Sequence, residues 1–190
     1  MRIWTDSTLQ PILDTDHYTG TDGTQYPNTP KGEIPGLHQV VEVSPPGDPL
    51  LYTWSIQLND GVPTQTWTAL PLATAKANII TNLEAKRNQV ENAGIVVGDT
   101  AIGSDQTART LLNDAITAMQ CPGAPSEIRY KFPSGQWASV TLTMGQDMMA
   151  AIAGHVAACA ANQMTMETAI MAATDIAGLQ AIDINQGWPI

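Results

Sequence analysis

Residues 143–190 read TMGQDMMAAIAGHVAACAANQMTMETAIMAATDIAGLQAIDINQGWPI, a stretch without one Lys or Arg. Thr143, with Gln146 three residues on, has the form of a capping box that opens a helix. Along that helix Met144, Met148, Ile152, Val156 and Ala160 recur at helical spacing, and Met149 and Cys159 widen the stripe. The opposite face is Asp147, Ala150, Gly154, Ala158 and Ala161, mostly small enough to let another backbone approach. Thr165 reads as the start of a final helix with Met166, Ala169, Ile170, Ala173, Ile176 and Ala177 in one sector, ended or weakened by Gly178. Two amphipathic helices of this kind need other surfaces to cover them.

The preceding chain supplies those surfaces. EIRYKF (127–132), a Pro-Ser-Gly turn and WASVTL (137–142) alternate around a turn and predict a hairpin. Ser104 or Asp105 caps a helix whose core face is Ala108, Leu111, Leu112, Ala115, Ile116 and Met119, ended by Cys121-Pro122-Gly123. IVVGDTAIGSD makes a tight hairpin with Gly98 and Asp99 at its turn. From Leu72 the pattern is helical: Leu72, Ala75, Ile79, Leu83 and Val90 share a face, with Lys76, Glu84, Arg87 and Glu91 largely elsewhere, and Asn92-Ala93-Gly94 stops it.

Further upstream, LYTWSIQL (51–58) alternates, with Tyr52, Trp54, Ile56 and Leu58 on the apolar side. Asn59, Asp60 and Gly61 turn the chain, and VPTQTWTAL returns, with a Thr-rich solvated side. Residues 1–50 are dense in Thr, Gly, Pro and Asp, with a short strand near Ile3–Trp4 and an alternating HQVVEV at 38–43. YPNTPKGEIPG and SPPGDP cannot be interior strands, because Pro fixes φ and removes a donor. The expected architecture is α+β. A loop-rich β segment over 1–70 precedes an α+β domain over 71–190, with about four helices and two short β-hairpins.

Eighteen acidic and eight basic residues give a net charge of −10, which disfavours nucleic acid and anionic membranes. No stretch has the length and apolarity of a membrane span, and MRIWTDSTLQP lacks the apolar core of a signal peptide. Cys121 and Cys159 permit at most one disulfide, and a reducing cytoplasm is the simpler reading. With one Phe in the chain, Trp4, Trp54, Trp67, Trp137 and Trp188 carry the aromatic bulk. Trp54 and Trp137 are assigned to the core by strand alternation, and Trp4 is the most open to a contact role.

No catalytic constellation stands out: there is no GxSxG, no Walker-type glycine loop and no HExxH. His155 and Cys159 stand four apart on one helix face, a spacing that suits two metal ligands. A structural zinc takes four, however, and only Cys121 and two distant histidines remain, so the pair reads as packing. DTDHYTGTDG (14–23) has Asp14 and Asp16 in the alternation of a calcium loop. Tyr18 occupies the next ligand position and Gln25 the place of the bidentate Glu, so it reads as a polar turn. No enzyme activity, metal or cofactor is expected.

From about Ala75 onward, the order AKANIITNLEAKRNQV, IVVGDTAI, SDQTARTLLNDAI, IRYKFPSGQWASVTL, GHVAACAANQ and TAIMAATDIAGLQAIDINQGWP resembles a family. It is a domain of unknown function that recurs in tail-fibre, tail-fibre-assembly and baseplate-associated proteins of tailed bacteriophages. Ser104-Asp105 followed by Ala108-Arg109 and Leu112, the run His155 to Cys159, and Gly187-Trp188-Pro189 carry the resemblance most strongly. EIPGLHQVVEV resembles the short β-rich leaders that precede such domains. The resemblance implies a virion or assembly role and supplies no catalytic residues.

The resulting expectation is a structural component of a phage tail, at the baseplate or where fibres attach, made in the bacterial host cytoplasm and located in the virion tail. Its partners are other tail proteins and further copies of itself. Trp4, Val40, Val41 and Val43 are the candidate partner-docking residues, through strand addition. Ala150, Gly154, Ala158 and Ala161 are the candidate oligomer face. The alternatives are a fibre-assembly chaperone absent from the particle, and a receptor- or sugar-binding tail module.

Overall fold

Asp60 and Gly61 both adopt positive φ, 51° and 78°, the signature of the two-residue turn whose twist matches that of its flanking strands. In the computed structural model, which describes residues 3–5, 8–13, 18–19, 25–26 and 37–189, this turn joins β6 (Tyr52–Asn59) to β7 (Val62–Ala69) in full register. Earlier come β1 (Ile3–Thr5), β2 (Pro11–Leu13), β3 (Tyr18–Thr19), β4 (Gln25–Tyr26) and β5 (His38–Gln39). β1 is the centre of an antiparallel three-stranded sheet with β2 and β5, and β3 pairs with β4. The acidic turn at 14–23 lies largely outside the described residues.

The chain forms two compact units. One comprises 1–78 with 175–180, the other 79–174 with 181–190. In the first, Val40 and Ile56 are buried together with Leu9 and Trp54 against them. The expected apolar face of β6 is thus used, except that Leu58 remains 59% exposed near the turn. Residues 41–43 run alongside β7. Val41 N–H donates to Pro63 O (2.8 Å), Gln65 N–H to Val41 O (2.9 Å), and Trp67 Nε1–H to Val43 O (2.6 Å). Pro63 is tolerated inside β7 because that position contributes only its carbonyl to this neighbour.

Helix α1 (Leu72–Glu91) begins in the first unit and ends in the second. Ala75, Ile79 and Leu83 are buried as the spacing predicts. Then follow the hairpin β8 (Ile95–Val97) and β9 (Thr100–Ile102), α2 (Gln106–Met119), the hairpin β10 (Glu127–Lys131) and β11 (Trp137–Thr141), α3 (Leu142–Ala172) and the short α4 (Ile176–Gln180). The class is α+β, with four helices and two short hairpins after the β-rich N-terminal part. The core of the second unit is Ile102, Leu112, Ile116, Phe132, Val140, Met148 and Ile152. At Gly145 α2 and α3 pack closely: a Cβ there would stand 3.0 Å from Ile116 Cγ1.

Five expectations are corrected. The closing stretch is a 31-residue helix followed by the five-residue α4, rather than two helices divided before Thr165. Thr165 does not start a helix; its Oγ1 donates to Ala161 O (3.0 Å), and Thr168 Oγ1 does the same to Met164 O (2.8 Å). Hydroxyls satisfied in this way sit inside a helix, and no Gly or Pro interrupts 155–172. The N-cap is Thr141, whose Oγ1 accepts Met144 N–H, so the Thr143–Gln146 pair falls inside the first turn.

The buried stripe of α3 is also rotated, running Gly145, Met148, Ile152, His155, Cys159 and on to Ile170. Met144 is 47% exposed and Ala160 is exposed, whereas Val156 and Met149, half-buried, pack against the core as expected. Leu111 (58% exposed) yields its place to Leu112, because α2 buries only the 112–116–119 line. Trp137 (57% exposed) is on the solvent face, because β11 turns Val140 inward and alternation sends 137 and 139 the other way.

Candidate functional site

The C-terminus of α1 must find partners for its last carbonyls and for Glu91, which is only 6% exposed although its spacing suggested a solvated position. Two segments meet it. Ser104, fully buried just before α2, donates its hydroxyl to Glu91 O and accepts Gly94 N–H (3.0 Å). His155, from the middle of α3, places Nε2 3.1 Å from Val90 O. A carbonyl only accepts, so Nε2 carries the proton in this bond. The Glu91 carboxylate receives Arg87 from the turn below and Arg109 of α2 at 2.9 Å. Asp105 takes the remaining role at this corner, capping α2 by accepting Thr107 and Ala108 N–H at 2.8 and 3.0 Å.

Burial alone would push the Glu91 carboxyl up, but hydrogen bonds from Arg109 and Arg87 outweigh it and hold it below the usual carboxylate range. Burial, and then the Glu91 charge, push the Cys159 thiol up, against a smaller pull from Arg87. That thiol is protonated at neutral pH, buried, and 3.8 Å from a His155 nitrogen already engaged elsewhere. The arrangement is a structural joint. It has neither the exposed thiolate of a nucleophile nor the open ligands of a metal centre. Among the described residues no cluster of three or more His, Cys, Asp or Glu could hold a metal.

The joint has a measurable pH signature. Because Glu91 is held below its ordinary value of 4.5, it stabilises the fold fully above that pH. This contribution should fade as the pH falls below 4.5 through the folded-state value. Urea denaturation between pH 6 and 3 should show this loss, and Glu91→Gln should flatten it. A slope unchanged in the variant would place the acid sensitivity elsewhere.

The expected docking residues fall into two groups. Trp4 (8% exposed) and Val40 (2%) are buried, whereas Val41 (50%) and Val43 (43%) remain open beside β7. Ala150, Gly154, Ala158 and Ala161 are all exposed on one side of α3, and a Cβ built on Gly154 meets nothing within 4 Å. His155 and Cys159 lie on the other, buried side. No helix of the described residues is long and apolar enough to cross a membrane.

Sequence reading missed a groove in the second unit. One part, about 170 Å³, is lined by Val97, Thr100, Ile102, Phe132, Met144, Asp147 and Met148. A second, larger part of about 550 Å³ shares Thr100, Phe132 and Met144 with it and extends towards Asp99, Gln136 and Trp137. No pattern in the sequence marks it. It becomes a site only when three segments distant in sequence meet.

The residues that carried the resemblance now have physical roles. Ser104, Arg109 and His155 converge on the end of α1, Asp105 caps α2, and Leu112 and Cys159 are core. Gly187 (φ 75°) lies against Asn162 of α3, where a Cβ would fall 2.6 Å from Oδ1, and Asn162 Nδ2 donates to Gln186 O at 3.1 Å. The class defined by these elements is an α+β domain built around one long helix and two hairpins. Residues 74–185 match the domain of unknown function DUF4376, and the chain belongs to that family. No curated protein and no solved structure matches the chain.

Proposed function

We propose that the protein is a non-catalytic structural component of a bacteriophage tail, at the baseplate or where tail fibres attach, acting through protein–protein contacts in the virion. The resemblance of residues 75–190 to a domain that recurs in phage tail proteins supports the setting. The observation that carries the contact role is the outer face of α3. Ala150, Gly154, Ala157, Ala161, Met164 and Thr168 alternate at spacings of four and three, all exposed and none charged. Met164 stands 66% exposed on that line. This is the spacing of a coiled-coil seam, and over those residues it runs roughly 27 Å. Small side chains let a second helix approach closely, so the favoured occupant is the same face of another copy.

Mass spectrometry of purified virions tests the setting: the protein should be present in stoichiometric amount. Its absence, combined with insoluble fibre protein when its gene is deleted, would make it an assembly chaperone instead. The seam is tested separately by sedimentation. Ala158→Arg borders the seam without touching the core, so it should convert an oligomer to monomer while changing the unfolding free energy of the monomer by no more than about 0.5 kcal/mol. An unchanged sedimentation coefficient would show that this face is merely solvated.

A further inference from the structure

We infer that the groove between β9 and β11 is a docking site for an extended peptide segment that carries one large apolar side chain flanked by Lys or Arg. The groove lies apart from the outer face of α3 and does not depend on the phage setting. Three observations define its occupant.

The first is the backbone that borders it. β9 pairs only with β8 and β11 only with β10 among the described residues, so each strand has one open edge. The larger part of the groove is lined by Asp99, Thr100 and Ala101 and by Gln136, Trp137 and Ala138, with Phe132, Ser134 and Met144 completing it, and by no residue of β8 or β10. It therefore lies along the open edges. Unpaired N–H and C=O groups along a strand edge accept another strand.

The second is volume. The smaller hollow of about 170 Å³ is lined by buried Ile102, Phe132 and Met148 and by Met144, which is 47% exposed. An engineered apolar cavity of about 150 Å³ holds benzene, so this hollow suits one aromatic or branched aliphatic side chain. Trp137, 57% exposed beside it, offers a flat apolar wall of the kind that anchors a partner.

The third is charge. The only charged side chains lining the two parts are Asp99 and Asp147, in a chain of net charge −10. A basic segment is attracted to this groove, and an acidic one is repelled both locally and by the whole chain.

The test uses two synthetic peptides, TKVFVKT and TEVFVET, titrated into the isotopically labelled full chain and followed by NMR. TKVFVKT should shift the amides of Thr100, Ala101, Ile102, Trp137 and Ala138 and the Trp137 indole. TEVFVET should bind about tenfold or more weakly. The double variant D99K/D147K alters two exposed acids outside the core and should reverse that order. Absence of shifts at these residues with TKVFVKT would overturn the proposal. So would equal affinity for the two peptides, or an order unchanged in the double variant.

Discussion

Ile152→Ala should lower the stability of the second unit by about 3 kcal/mol, within the 2–5 kcal/mol typical of aliphatic core truncations. Ile152 is 1% exposed and belongs to the cluster of Leu112, Ile116, Phe132, Val140 and Met148. These neighbours come from α2, from the β10–β11 hairpin and from α3 itself, and α2 is already in close contact with α3 at Gly145. Elements pressed together in this way cannot move in to fill the space, so a cavity term adds to the lost transfer energy. Ile152→Val removes one methyl and should cost only about 1 kcal/mol. Urea denaturation of the three proteins checks this. A loss below 1 kcal/mol for Ile152→Ala would mean that the stripe of α3 is not the centre of the core.

Glu91→Ala should be the most damaging polar substitution, at about 2–3 kcal/mol, because it leaves Arg87 and Arg109 facing each other at the end of α1 with their shared acceptor gone. The figure stays below that of a fully buried pair because the Arg87 and Arg109 side chains retain 32% and 23% of their exposure and solvent screens them in part. Adding Arg87→Met and Arg109→Met to Glu91→Met should recover much of the loss, since an apolar replacement of the whole set leaves no orphan charge. If Glu91→Ala is nearly neutral in urea denaturation, the joint is held by Ser104 and His155 alone. The two substitutions act on different neighbours, so their effects should add when combined.

Periodicity made much of this architecture legible. Alternation with Gly at the turns located the β6–β7, β8–β9 and β10–β11 hairpins, and 3.6-residue spacing located α1, α2 and the start of α3. What misled was ambiguity between neighbours of equal hydrophobicity. Leu111 and Leu112 are interchangeable on a helical wheel drawn without its partner, and Trp137 and Val140 sit on opposite sides of the same strand. Thr165, preceded by Asn162 and Gln163, has the composition of a helix start, yet its hydroxyl is satisfied equally well from inside a helix.

The sites were less legible than the elements. Exposure of Ala150, Gly154, Ala158 and Ala161 agrees with an outer face on α3, and the structure adds Ala157, Met164 and Thr168 to that line. The groove beside Trp137 had no sequence signature, because its walls come from residues 97–102, 132–138 and 144–148.

By itself the sequence determined the order and kind of most elements from β6 onward, the position of most turns, and the lack of any Lys or Arg in the last long helix. These depend on local φ/ψ preferences and on periodicity, which are properties of short windows. Only the tertiary structure decided which apolar residue of each adjacent pair goes inward, and that Glu91, Ser104 and His155 close the end of α1. It alone brought the open edges of β9 and β11 to a common groove. Each of these depends on which distant segment supplies the missing hydrogen-bond partner or apolar surface, and no local pattern contains that information.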